Sequence, residues 1–271
     1  MNINTYENFS KHLSSILIKK DLKNWQIYKH QTIDLILDGG AFSGSYLLGG
    51  LIYMQHISKY IDIQRISGTS IGSLFGLLYL SNLLTKYNCK FYQKFRKCFK
   101  KNGNLSVLKK CLLFIRKHIS SDFYKQCNHK LYVTYFNVQT KKQTVRFNYF
   151  SNDDLLNSIY KSCFIPFIIN GDIALDNKYV DGIVPYIFPK NSFSKIIFMD
   201  LHTSYLSKMI NIKNEINNHS RILSGIFETH HFFMYGKSNL CFDIYSHFYY
   251  YKVIFYIRLT IAVKVVCIIS I

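Results

Sequence analysis

The sequence predicts an α/β protein with a mostly parallel central β-sheet. Two observations support this: apolar strand-like runs alternate with helical runs, and a glycine-containing turn follows each of the first two strand-like runs. Parallel neighbours need a crossover between them, usually a helix, and their strands are buried and apolar on both faces. A chain of 271 residues is long enough for one well-buried domain with short appendages.

The first half of the chain has the order of a βαβα unit. Its expected elements are a β-branched strand at residues 32–37, a glycine-rich loop at 38–44, a helix at 45–58, a strand at 61–67, a glycine turn at 68–72 and an apolar helix to about residue 84. Residues 1–30 are expected to form one or two amphipathic helices.

The second half predicts further strands and one clear helix. The expected elements are strands at residues 131–138 and 143–150 around a turn at 140–142, a helix from near Ser151 to before Pro166, a second hairpin at 173–175 and 178–180 turning at Asp176 and Asn177, and a core strand at 194–199. The predicted domains are an N-terminal helical extension at 1–31, a central α/β domain at 32–200 and a C-terminal extension at 201–271.

Residues 86–130 form a basic, cap-like insert of the central domain, with thirteen Lys or Arg against the single acid Asp122. The whole chain carries a formal charge of +19, which favours a polyanionic partner. Because no nucleic-acid module is recognisable, we expect an anionic membrane surface and no nucleic acid. A solvated helical face is the alternative interpretation of the insert.

The seven cysteines are scattered and never form a CxxC pair. They are therefore expected to be reduced thiols in a cytosolic type of compartment, most of them behaving as small buried hydrophobes.

The pentapeptide Gly68-Thr69-Ser70-Ile71-Gly72 has the form of a nucleophile elbow. A serine that attacks an ester must stand clear of the backbone on a tight strand-to-helix turn, which requires small neighbours such as Gly68 and Gly72. The helix that follows would bring its positive end near the developing oxyanion. The alternative is a plain turn in which the glycines let the helix pack closely on the sheet.

The glycine-rich loop 38–44 precedes the elbow by one helix and one strand. Such a loop presents backbone N–H groups to an anion, either a phosphate or a transition-state oxyanion. Its spacing fits neither the dinucleotide nor the P-loop fingerprint, which favours the oxyanion. Both turns of a right-handed βαβ unit lie at one edge of the sheet, so we expect the loop and Ser70 to face one cleft.

Asp181, followed by Gly182, is the candidate base, because a serine hydroxyl needs a group to accept its proton. Gly182 would let the chain turn sharply after the aspartate. An Asp-Gly pair is also a common turn signal, so the assignment depends on its combination with the elbow and the loop. The alternative is a conventional triad that includes His202, two residues after Asp200.

These three blocks resemble the patatin-like phospholipase family over about residues 33–198, and the segment 162–166 (SCFIP) sits where that family commonly has small residues and proline. The resemblance implies a three-layer α/β/α sandwich and hydrolysis of acyl esters in lipids, with no metal or cofactor. It also implies an oxyanion loop that contains Gly39, Gly40, Ala41 and Gly44, the nucleophile Ser70, and Asp181 as the only base of a Ser–Asp dyad, with Gly182 in support.

The sequence departs from the family pattern at three positions. Ala41 stands where the family often has a third loop glycine, and it is acceptable if its φ is negative. Ser43 replaces a basic residue, which is expected to weaken binding of the oxyanion or of a head group. Ile183 replaces Gly or Ala and is expected to narrow the cleft.

The hypothesis at this point is a serine lipid acyl hydrolase that acts through an acyl-enzyme on phospholipid or another acyl lipid. A catalytically weak or inactive membrane-binding protein of the same fold, and a lipid acyltransferase, remain as alternatives. The expected location is cytoplasmic or peripheral on intracellular membranes.

A C-terminal membrane anchor is a further hypothesis, because residues 253–271 are apolar apart from Arg258 and Lys264. Each cation costs about 2.5–3.5 kcal/mol at the centre of a membrane span, which favours an interfacial anchor over a span. A buried strand or helix is the remaining alternative.

Overall fold

The computed structural model describes residues 3–20, 31–190, 193–202, 208–209, 211–212 and 218–269. Its helices are α1 (Ile3–Lys20), α2 (Gly44–His56), α3 (Ile71–Leu80), α4 (Leu84–Asn102), α5 (Val107–Arg116), α6 (Phe123–Cys127), α7 (Asn152–Ser162), α8 (His219–Tyr235) and α9 (Phe248–Ile269). Its strands are β1 (Gln31–Leu37), β2 (Ile61–Thr69), β3 (Leu131–Asn137), β4 (Lys142–Arg146), β5 (Tyr179–Asp181), β6 (Lys195–Met199) and β7 (Cys241–Asp243).

Within the described residues these strands form one mixed sheet in the order β4-β3-β2-β1-β6-β7, with β5 also paired to β3. The central strands β3, β2, β1 and β6 are parallel, whereas β4, β5 and β7 pair antiparallel with their neighbours. The predicted α/β class is therefore confirmed, with antiparallel pairing confined to the outer strands.

The sheet is covered on both faces, because successive residues of a strand point to opposite sides. In β1, Leu35 and Leu37 face a large apolar core to which α1, α2, α3, α7 and α8 contribute. Ile36 faces the other side, where Phe198 packs against Tyr251 and Phe255 of α9. Burial of each such side chain stabilises the fold by about 1.5–3 kcal/mol. The three-layer α/β/α arrangement is confirmed.

Most predicted elements form within a few residues of their expected bounds. Two bounds are wrong: the strand predicted at 143–150 ends at Arg146, and the helix predicted to about residue 84 ends at Leu80. Asn82 adopts a left-handed φ of 55°, which stops the helix before α4 begins at Leu84. The helix predicted near Ser151 begins as expected, and the Ser151 hydroxyl caps it by accepting a hydrogen bond from the Asp154 amide.

The second predicted hairpin, around residues 173–180, forms only as a tight turn with one antiparallel residue pair, and its predicted strand at 173–175 does not form. The turn forms at Asp176 and Asn177, each with a φ of 53°. Its two arms, however, meet in an isolated bridge between Leu175 and Tyr179. β5 pairs instead with β3, which offers it three successive residue pairs.

One edge of β3 pairs with two strands in succession, first β2 and then β5. It pairs in parallel with β2 as far as Thr134, which lies opposite Thr69. From Tyr135 onward it pairs antiparallel with β5, and Tyr135 lies opposite Asp181. β5 therefore occupies the place beside β3 that β2 leaves when it ends before Ser70.

The C-terminal part of the chain contributes to the same sheet, because β7 pairs with β6 beyond the predicted boundary at residue 200. α8 packs against α2, and α9 covers the second face. No helix in the described ranges has the length and apolarity needed to cross a membrane.

Candidate active site

Ser70 occupies a sharp turn between β2 and α3 and is almost buried. Its φ of 51° and ψ of −128° lie in a region that residues other than glycine rarely adopt. Such backbone strain is concentrated at functional sites. The turn needs its flanking glycines. A Cβ on Gly72 would lie 2.5 Å from the Leu37 carbonyl oxygen, and one on Gly68 would lie 2.6 Å from the Ser73 nitrogen.

The segment 162–164 links Ser70 to the chain that carries Asp181. The Ser70 amide donates to the Ser162 hydroxyl at 2.9 Å, and the Cys163 thiol donates to the Ser70 carbonyl at 3.1 Å. The next residue, Phe164, accepts a hydrogen bond from the Asp181 amide at 2.8 Å. The sequence singled out this segment only through its family resemblance, and the contacts now give it a structural role.

Asp181 is half-buried beside Ser70, and its carboxylate oxygen Oδ2 is fully buried. Burial raises the pKa of Asp181 to about 6, against the lowering effects of the Ser70 hydroxyl, the Ile183 amide, Arg258 and His202. One carboxylate oxygen, Oδ1, accepts from the Ile183 amide at 2.9 Å. The other oxygen, Oδ2, has no hydrogen-bond partner among the described residues. The Ser70 hydroxyl is near enough to lower the pKa of the carboxylate, although the two groups do not meet the geometry of a hydrogen bond. Such catalytic contacts often tighten only when substrate binds.

Gly182 lies where the two strand partners of β3 meet. A Cβ there would lie 2.1 Å from the Thr134 carbonyl oxygen and 2.6 Å from the Thr69 hydroxyl. Only glycine fits at such a distance, so Gly182 lets the chain that carries Asp181 approach the end of β2.

The loop 38–44 lies against Ser70: a Cβ on Gly39 would be 3.1 Å from the Ser70 Cβ. The Gly39 amide donates to the Asp38 carboxylate at 2.9 Å. Gly40 packs against Leu201. Gly44 begins α2, and its amide is directed to carbonyls of the preceding turn.

Two of the positions that depart from the family pattern have left-handed backbones. Ala41 has a φ of 42° and Ile183 a φ of 66°, so the condition of a negative φ at Ala41 is not met. Both are positions where glycine or a small residue was expected, and left-handed geometry is costly for a β-branched side chain above all. The two loops therefore keep the left-handed conformation at Ala41 and Ile183, where a non-glycine residue is strained.

The Ala41→Gly variant is therefore expected to be more stable than the wild type by about 1 kcal/mol, because glycine adopts a positive φ without a steric penalty. Urea-induced unfolding measures this difference. Ala174→Gly is the matched control, because Ala174 is buried and has no positive φ, and this variant should be less stable than wild type. A loss of stability in Ala41→Gly equal to that of the control would contradict the strain argument.

A charged cluster lies next to Ser70 and Asp181, around the buried Asp38. Arg258 donates to both oxygens of Asp38, at 2.8 and 3.4 Å, and the His202 imidazole Nδ1 lies 2.6 Å from its Oδ2. Although burial opposes ionisation, Arg258 and His202 hold the pKa of Asp38 well below its usual range. The imidazole of His202 is thus directed to Asp38. Asp200, its partner in the alternative triad, accepts instead from the His202 amide.

Asp38, Asp200 and His202 each place a possible metal-ligand atom within 4.8 Å of one another. Arg258 already neutralises Asp38 at this point, so a cation would have to compete with a guanidinium for the same carboxylate. The donor set therefore suits the ion pair better than it suits a metal ion.

An apolar cleft opens beside Ser70, and the empty space in it and at its open mouth together amounts to about 460 Å³. Phe95 of α4, Leu108 of α5 and Leu105 between them line one side, so the basic segment 86–130 does form part of the wall. Cys163 and the elbow line the other side. The side chains that line the cleft are almost all apolar, so it suits an apolar ligand better than a charged one.

The model of the Patatin-like phospholipase family matches residues 35–189, a range that contains the glycine loop, the elbow and Asp181. A search of curated proteins finds no match to the chain. The matched range covers more than half of the sequence, and the fold around it has the three layers described above. The chain belongs to the patatin-like phospholipase family.

Proposed function

We propose that the protein is a serine lipid acyl hydrolase in which Ser70 is the nucleophile and Asp181 the base. The observation that carries the proposal is the shared strand β3, which sets Asp181 directly beyond the end of β2 and beside Ser70. The strained elbow and the pKa of about 6 at Asp181 support it, because both are typical of catalytic groups.

The reaction has two steps. Ser70 Oγ attacks the ester carbonyl carbon while its proton passes to the Asp181 carboxylate. The bond to the alcohol oxygen then breaks, and Asp181 returns the proton to that oxygen as the acyl-enzyme forms. Water attacks the acyl-enzyme in the same way, and Ser70 Oγ regains a proton as the fatty acid leaves.

Stabilisation of the oxyanion is assigned to backbone amides of the glycine loop that contains Gly39, Gly40, Ala41 and Gly44, and to the positive end of α3, at whose N-terminus Ser70 lies. The loop suits this role because Gly39 lies against Ser70. The apolar cleft would hold the acyl chain, which makes a phospholipid or another acyl lipid the proposed substrate class.

An alkyl fluorophosphonate tests the proposal directly, because it forms a stable adduct only with an activated serine. We expect it to stop release of fatty acid from a fluorogenic phospholipid, and mass spectrometry of the digested protein to place the adduct on Ser70. Adding a lipid alcohol as acceptor separates hydrolysis from acyl transfer. Wild-type protein that neither releases fatty acid nor forms the adduct would instead indicate an inactive member of the family.

The proposed partner surface is an anionic membrane, with the protein peripheral on intracellular membranes. α4 and α5 bury apolar side chains such as Phe95 and Leu108 against the cleft and expose lysines on their outer faces. The exposed lysines include Lys94, Lys97, Lys109, Lys110 and Lys117. An anionic surface attracts each such charge by about 1 kcal/mol, and docking there would bring the cleft to the lipid.

Reversing two of these charges, in Lys109→Glu/Lys110→Glu, is expected to weaken binding to vesicles with anionic lipid by about 30-fold or more, since at least about 2 kcal/mol of attraction is lost. Co-sedimentation at low and at physiological salt measures it. Lys19→Glu/Lys20→Glu, in the exposed last turn of α1, makes the same change in net charge and serves as control. Equal losses in the two double variants would indicate a general charge effect rather than a docking surface.

A further inference from the structure

Arg258 of α9 enters the candidate active site from the far side of the sheet. Its side chain is only 13% exposed, although α9 lies at the surface and carries several exposed apolar side chains. The guanidinium donates to the Asp38 carboxylate at 2.8 Å and to the Ile183 carbonyl at 2.7 Å. Asp38 and Arg258 are 220 residues apart in the sequence.

These two acceptors belong to the two loops that the proposed chemistry must hold together. Asp38 begins the glycine loop and also accepts from the Gly39 amide and the Leu201 amide. Ile183 is two residues beyond Asp181, and its own amide donates to Asp181. One planar cation therefore spans the loop beside Ser70 and the loop that carries the base.

We propose that Arg258 is a positioning residue, which holds the glycine loop and the Asp181 loop in register and completes the site from the C-terminal helix. This inference rests on the proposed function of Ser70 and Asp181. The left-handed backbone of Ile183 explains why the loop needs the hydrogen bond from Arg258, because a strained loop keeps its conformation only when its surroundings fix it.

The docking of α9 itself does not require Arg258. Tyr251 and Phe255 already bury the helix against Phe198 and Phe242 of the sheet. Removing Arg258 leaves the buried Asp38 carboxylate without its cation, so Arg258→Met is expected to lose stability as well. The proposed role predicts that kcat also falls in the fraction of this variant that remains folded, whereas a purely structural arginine would leave that kcat unchanged.

The charge of Arg258 has a separate consequence for the base. The ionisable groups around Asp181 are Arg258 of α9, His202 after β6 and the Cys163 thiol after α7. Burial raises the pKa of Asp181, and Arg258 is one of the groups that oppose this rise. Removing the cation should move the acid limb of the pH profile to higher pH, and a lysine should largely prevent that movement.

The experiment compares Arg258→Met and Arg258→Lys in the full chain, with kcat and KM measured on a fluorogenic phospholipid between pH 5 and pH 9. Arg258→Met is expected to lose about 100-fold in kcat, as misplaced catalytic groups do, and to show an acid limb shifted upward. Arg258→Lys is expected to keep the acid limb close to that of wild type and still lose about tenfold in kcat, because the shorter side chain with a single nitrogen cannot reproduce the fork in which Nη1 and Nη2 both contact Asp38 while Nη2 also contacts Ile183.

Lys252→Met is the matched control, since Lys252 is an exposed cation on the same helix. It should leave kcat and the pH profile unchanged. If Arg258→Met does not fold, Arg258→Lys alone decides: a wild-type kcat in that variant would overturn the bridging role. Wild-type kcat and pH profile in a folded Arg258→Met variant would overturn the whole inference. Activity that survives Ser70→Ala would instead remove the proposed function, so the two failures are distinguishable.

Discussion

Ser70→Ala is expected to lower kcat for fatty acid release by about 10⁴-fold or more, because no acyl-enzyme can form without the hydroxyl. The variant should remain folded. The backbone of residue 70 is held by hydrogen bonds from its amide to Ser162 and from Ser73 and Cys163 to its carbonyl, and all of them survive the substitution. Single-turnover and steady-state assays on a fluorogenic phospholipid measure the loss, and urea unfolding should place the stability within about 0.5 kcal/mol of wild type.

Ser81→Ala provides the control at the other end of the same helix, where the Ser81 hydroxyl donates to the Leu78 carbonyl. This variant should retain the wild-type rate. Turnover in Ser70→Ala that matches Ser81→Ala would show that the measured hydrolysis does not use the elbow.

Asp181→Asn is expected to lower kcat by about 10³-fold and to raise stability at the same time. An amide of the same shape cannot accept the proton of Ser70, and general bases typically contribute 10²- to 10⁴-fold. The pKa of Asp181 is raised from 3.8 to about 6, so the ionised carboxylate destabilises the fold by roughly 3 kcal/mol at neutral pH. A neutral amide removes much of that cost, and we expect a gain on the order of 1–3 kcal/mol.

The sign of the pH dependence follows from the same pKa. Between pH 4 and pH 6 the folded protein holds a proton that the unfolded chain has released, so stability due to Asp181 falls as pH rises. Activity changes in the opposite direction, because the base must be ionised: kcat/KM of the wild type should rise through about pH 6 and then level off.

Asp176→Asn, on the exposed turn five residues earlier, is the control and should change neither rate nor stability measurably. A stable Asp181→Asn variant with wild-type kcat would show that another group accepts the proton. His202 would then be the group to test, since it lies in the same cluster.

The parts of the site that the sequence predicted share one property: their signal is local. The run TIDLIL and the pentapeptide around Ser70 carry their strand, turn and helix within a few residues, so β1, α2 and β2 lie close to their expected bounds. Gly68 and Gly72 are required because a Cβ at either position would clash with nearby backbone atoms. The placement of a glycine two residues before and two residues after Ser70 already predicts this requirement. The same holds for the capped helix that begins after Ser151.

The parts that the sequence did not predict depend on contacts between distant segments. From the sequence, Arg258 indicates only a cost to membrane insertion, because nothing near it in the chain indicates that α9 turns this side chain toward Asp38. Local alternation predicts a hairpin around residues 173–180, whereas β5 pairs mainly with a strand more than 40 residues earlier. The positive φ of Ala41 is likewise set by the loop as a whole and not by the residue itself.

The way β3 passes from β2 to β5 has a consequence for how this chain tolerates length changes. Side chains along a strand alternate between the two faces, so a slip of one residue in β5 would turn Asp181 away from Ser70 altogether. The turn at Asp176 and Asn177, by contrast, is exposed and can absorb inserted residues without moving the strand. Insertions at that turn should therefore be tolerated, whereas a single inserted residue between Tyr179 and Asp181 should inactivate the protein.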